Sequence, residues 1–147
     1  MFQIQGRDVA AVTGKNGICY PYEEKPMIPI LIRGDLTGKW KQEDFLLDTG
    51  ADGTLLHSDE AVRLGLDINE YDKSEKWSIC GIDGVPKPLY KKKILIKIGH
   101  FLPIFLTVGF SKGVRPGLRL LGRQGILDRF GIAFNGKDFG IFTKQEI

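Results

Sequence analysis

Apolar runs of strand length, each closed by glycine, proline, asparagine or aspartate, recur along the whole chain. That punctuation leaves little room for anything but a β fold. The segment KPMIPILIRGDLTGKWKQEDFLLDTG, residues 25–50, reads as a strand, a longish polar loop at GDLTGK and a second strand ending at Asp48. KWSICGIDGVPKPLY alternates apolar and polar residues around a Gly-Ile-Asp-Gly turn and predicts a further hairpin. KKILIKIG and FLPIFLTVGF follow as two more strands, and GIAFNGKDFGIF places an Asn-Gly turn between alternating segments. A short helix is expected at HSDEAVRLGL, where Ser58 can cap, Asp59 and Glu60 suit the positive end and Gly65 can stop it. A second short amphipathic helix is expected after Gly122. With 147 residues, 19 of them Gly and 7 Pro, the chain suits one turn-rich, mostly β domain. Residues 1–24 are less decisive and leave a hairpin turning at GKNG or an extended arm open.

Charge and composition narrow the function classes. The net charge is +3, and the only basic cluster, Lys91 to Lys93, lacks interleaved aromatics, so it reads as a solvated face or edge-strand protection and not as a nucleic-acid site. Cys19 and Cys80 lie far apart and fit neither a disulfide framework nor a metal-ligand spacing, so no metal or cofactor is expected. The most apolar stretch, Ile94 to Phe110, is interrupted by Lys97, Gly99, His100 and Pro103, which argues against a membrane span. The first ten residues lack the apolar segment of a signal peptide. The expectation is a soluble cytoplasmic protein.

FLLDTGADGTLL, residues 45–56, sets a carboxylate, Asp48, behind two leucines. Burying an unpaired carboxylate costs several kcal/mol, on the order of 3–5 by analogy with broken buried ion pairs. The next residues offer relief: Thr49 has a hydroxyl, Gly50 permits a sharp turn with its amide near the acid, and Ala51 leaves space beside it. Asp-Thr-Gly alone also suits an ordinary Asx-type turn. The surrounding residues favour a carboxylate displayed on a tight loop.

With LLDTGADGTLL, a glycine-rich hairpin at CGIDGV, and LRLLGRQGILDRFGIAFN some seventy residues after the first motif, the chain resembles the retropepsins, the retroviral-type aspartic proteases and their cellular and prokaryotic relatives. Order and approximate spacing agree over about residues 26–135. The resemblance implies a retropepsin-like acid protease fold, a closed barrel-like single lobe with two short helices, in residues 25–147 behind an extension at 1–24. It implies that Asp48 is catalytic, that Thr49 and Gly50 support the active-site loop, and that Gly50, Ala51, Asp52 and Gly53 line the cleft. Gly81, Ile82 and Gly84 would form a flap over the peptide, Leu46, Leu118 and Leu120 would wall side-chain pockets, and Arg123 would pair with Asp52.

Aspartic proteolysis needs two carboxylates that share one proton. This chain has one Asp-Thr-Gly and is too short for a two-lobed enzyme, so within this family reading the second Asp48 comes from a second copy across a two-fold axis. The expected activity is endopeptidase action on a peptide or protein, with neither metal nor covalent intermediate. The competing reading is a peptide-binding or assembly module that keeps the fold without turnover. The sequence departs from the viral pattern at the C-terminal end, where an Asn-Gly turn lets the last strand fold back on its own chain, and at the flap, where Asp83 reads as a turn residue and Cys80 as a small apolar one.

Overall fold

The alternation seen in the sequence becomes a barrel with an apolar interior. In a computed structural model, which describes residues 2–3, 13–22, 24–35, 38–67, 78–80 and 86–143, twelve strands and one helix are laid out along the described residues. They are β1 (Phe2–Gln3), β2 (Ile18–Pro21), β3 (Met27–Arg33), β4 (Lys41–Leu47), β5 (Thr54–His57), α1 (Ser58–Arg63), β6 (Ser78–Cys80), β7 (Pro86–Pro88), β8 (Tyr90–Ile98), β9 (Ile104–Ser111), β10 (Arg119–Leu121), β11 (Phe130–Phe134) and β12 (Asp138–Thr143).

Six strands close the barrel in the order β10-β4-β3-β8-β9-β5. Ile28, Ile30 and Ile32 of β3 point inward at every second position, as strand geometry requires, and meet Phe45, Leu56, Ile94, Ile96, Val108 and Phe110. Pro29, which has no N–H to give, lies where β3 has only β4 beside it, since pairing with β8 begins at Ile30. β3 and β4 form the expected hairpin, and β8 and β9 another, turning at Gly99, whose φ of +52° suits a residue without a side chain.

Four further strands form a second sheet, ordered β1-β11-β12-β2. The Asn-Gly turn joins β11 to β12: Gly136 has φ +91°, and the Asn135 side-chain oxygen accepts from the Lys137 and Asp138 amides. The last strand does fold back on its own chain, and it is flanked on both sides, by β11 and β2. Residues before Lys25 therefore supply two strands to this sheet, with a turn at GKNG marked by the Gly17 amide donating to the Gly14 carbonyl. Phe139, Ile132 and Ile141 join the barrel core.

Two local expectations need correction. Ser58 is not the cap of α1: β5 runs through His57, which takes the cap position with φ −65° and ψ 146°, and its Nδ1 accepts from the Asp59 amide. Ser58 becomes the first helical residue, its Oγ buried without a partner. The second expected helix is instead a succession of turns after Gly122, held by α-type bonds from Leu127 N–H to the Arg123 carbonyl and from Phe130 N–H to the Ile126 carbonyl. Gly125, with φ +78°, interrupts regular winding there. The flap-like hairpin pairs β6 with β7, while its tip, including Gly81, Ile82, Asp83 and Gly84, lies outside the described residues.

Candidate active site

Strand β4 delivers Asp48 to the barrel rim. Phe45 and Leu47 anchor the strand in the core, and Asp48 is the first residue beyond its end, half-buried. Three bonds from backbone amides fix it: its own amide donates to the Leu121 carbonyl at 3.0 Å, the Ala51 amide donates to its carbonyl at 3.2 Å, and the Gly50 amide donates to its Oδ1 at 3.0 Å. The charge in an apolar run is thus tolerated in the way the sequence suggests, by a turn that folds a donor back onto it. A side chain at Gly50 would put a Cβ 3.3 Å from that same oxygen, so glycine leaves the carboxylate its room.

The loop after Asp48 is held from beneath. β10 inserts between the two strands that flank the loop, parallel to β4 with Leu120 opposite Leu46, and antiparallel to β5 with Leu120 opposite Leu55. The chain then continues under the loop: the Gly122 amide donates to the buried Thr54 hydroxyl at 3.2 Å, the Arg123 amide to the Ala51 carbonyl at 3.0 Å, and the Gln124 amide to the Asp52 carbonyl at 2.8 Å. Gly122 packs so closely on the Gly53 backbone that any Cβ there would collide with the Gly53 carbonyl. The apolar-apolar-Gly-Arg signature is therefore a strap that fits only with glycine at its crossing point.

Arg123 and Asp52 form an ion pair through Nη2 and Oδ1. Both side chains are largely exposed, at 49% and 78%, so the pair adds at most about 1 kcal/mol and the backbone bonds do most of the holding. Leu46, Leu55 and Leu120 sit on three adjacent strands with their side chains half-buried, while their neighbours Leu47, Leu56 and Leu121 face the core. Leu118 precedes β10, half-buried, on a turn in which its amide donates to the Arg115 carbonyl. Thr49 and Gly53 are also half-buried in the loop, and Cys80 ends β6.

A cleft of about 230 Å³ opens beside the loop, lined by Asp52 and Gly53 and, beyond the residues the sequence singled out, by Leu55, Leu89, Thr107, Gly109 and Gln124. Gly109 leaves the space over which Leu55 and Leu89 pack. Leu55 lies in the Asp48 run but was not singled out there, and nothing local marks Leu89 or Gly109 as lining a cleft; strand register sets Leu55 opposite Gly109. Among the described residues, no group of three or more His, Cys, Asp or Glu side chains is placed to hold a metal ion, and no helix is long and apolar enough to cross a membrane.

No protein-family model and no curated protein matches the chain by sequence. Solved structures match it in fold. The chain is similar to EIAV protease complexed with the inhibitor HBY-793, with TM-score 0.54 and 25% identity over 74% of this chain and 91% of that one. It is also similar to a retropepsin-like aspartic protease from Rickettsia conorii, with TM-score 0.63 and 18% identity over 86% of this chain and 99% of that one. A mostly β chain with a closed barrel, and Asp-Thr-Gly strapped at its rim, agrees with these likenesses. The fold of this chain is retropepsin-like, a closed barrel similar to those two proteases.

Proposed function

We propose that the chain is an aspartic endopeptidase that acts as a homodimer, with Asp48 of one copy facing Asp48 of the other. The observation that carries this reading is the half-buried Asp48 carboxylate, held by the Gly50 amide on a loop that the 119–124 segment braces from below. Such a group is preorganised for proton transfer and is out of place as mere packing. Similarity to two aspartic proteases supports the same reading.

Two like charges about 3 Å apart cannot both ionise, so the facing carboxylates share one proton. One carboxylate takes a proton from a bound water while the other, protonated, hydrogen-bonds the scissile carbonyl; the proton then passes to the leaving amine. No covalent intermediate forms. Thr49 braces one loop against its twin, and Gly50 contacts the peptide backbone. The peptide lies extended, with apolar side chains against Leu46, Leu55, Leu118 and Leu120 and a further one in the cleft beside Asp52 and Gly53.

The test compares the parent with Asp48→Asn on a diverse peptide pool between about pH 3 and 7, identifying products by mass. The asparagine keeps the shape and removes the acid, so cleavage should be lost at every pH. Equal cleavage by both proteins, or none by either, sinks the protease reading and leaves a peptide-binding module of the same fold.

A further inference from the structure

A partly buried ionic cluster joins the elements that carry the catalytic loop. The Arg119 guanidinium, only 14% exposed, places Nη2 at 2.7 Å from Glu60 Oε1 and 3.0 Å from Glu43 Oε2. Glu60 is 5% exposed, and its other close cation is Arg63 at 3.7 Å. Glu43 belongs to β4, the strand that ends at Asp48; Glu60 belongs to α1, which follows β5; and Arg119 opens β10, which lies between those two strands. One side chain thus ties together three segments distant in sequence. A further contact, from Nη1 to the Gly117 carbonyl at 3.5 Å, secures the approach to β10 to the same guanidinium.

The strand so tied is three residues long and, with the residue after it, makes two bonding contributions on which the loop depends: the Leu121 carbonyl, which receives the Asp48 amide, and the Gly122 amide, just beyond the strand, which donates to Thr54. Ladder bonds alone hold so short a strand weakly, and sliding would carry both groups away from the loop together. We propose that Arg119 is a positioning residue for the active site, which by clamping Glu43 and Glu60 fixes β10 in the register that holds Asp48 in place. This rests on the protease reading only for its effect on turnover; its effect on the Asp48 amide stands apart from it.

The experiment separates a clamp from simple stability. Arg119→Met alone strands Glu60 as a buried unpaired charge and so destabilises the fold for a reason unrelated to positioning. The variant Arg119→Met with Glu60→Gln removes that charge as well, and its thermal midpoint should return most of the way to the parent's. In that double variant the Asp48 amide should exchange with solvent at least about tenfold faster than in the parent, as expected when the bond to Leu121 opens more often. On the best peptide found for the parent, kcat should fall about tenfold or more while KM changes less than about threefold, because a misplaced reacting group costs chemistry before it costs binding. Arg119→Lys, which keeps a cation within reach of both glutamates, should recover part of both effects. A folded double variant with parental exchange at Asp48 overturns the clamp whatever the activity. Slowed turnover that Arg119→Lys does not improve overturns it as well. A parent that cleaves nothing removes the protease reading and leaves the exchange measurement to decide the clamp.

Discussion

At the residue scale, the proposed active site depends on how one carboxylate and one hydroxyl are satisfied. Thr54 is 1% exposed, and its hydroxyl accepts from the Gly122 amide, which links the loop's exit to the strap. Thr54→Val keeps the shape and leaves a buried N–H without a partner, which should cost about 1–3 kcal/mol in denaturant unfolding and slow peptide cleavage. An unchanged midpoint would mean that the amide finds another acceptor. Asp48 and Gly50 were legible because each answers a local demand: a charge in an apolar run needs a turn, and a turn that folds back suits glycine; Gly122 stood only in a motif carried by the resemblance, since its demand, the Gly53 backbone, comes from far along the chain. Ser58 departs from expectation for a local reason too. It is a good cap in isolation, but the strand before it extends one residue further and gives the position to His57.

At the scale of elements, strands were readable from alternation and turn residues, and β3–β4 and β11–β12 pair as the hairpins expected, while β8 and β9, read as two successive strands, also pair with each other. Strands that meet across the chain were not readable. Nothing near Ile18–Pro21 says that it pairs with β12, or near Arg119–Leu121 that it inserts between β4 and β5. The β2–β12 pairing carries a consequence for alkaline stability. Tyr20 stacks on Phe139 with ring centroids 5.3 Å apart, and burial raises its phenol above its ordinary value of 10.0. In the unfolded chain the phenol ionises first, so between the two values the unfolded state has bound fewer protons and stability falls as pH rises. Tyr20→Phe should therefore lose less stability than the parent in denaturant titrations between about pH 9 and 11, with the two differing little in pH dependence near neutrality. Parallel pH curves would place Tyr20 in water and detach β2 from the sheet.

At the scale of the whole molecule, one lobe offers one Asp-Thr-Gly, and the chemistry asks for two. The C-terminal strand is already flanked by β11 and β2 within its own sheet, so a second copy cannot insert beside it without displacing one of them. The association we propose accordingly leans on the faces around Asp48, and it should be concentration dependent, with specific activity rising as the chain is concentrated. The most direct measurement mixes active parent at fixed concentration with increasing Asp48→Asn chain and follows peptide cleavage. If each site takes one carboxylate from each copy, mixed dimers are dead and activity falls towards zero as the variant comes into excess. Activity that holds constant however much Asp48→Asn is added would contradict a shared site and, with it, catalysis by a homodimer.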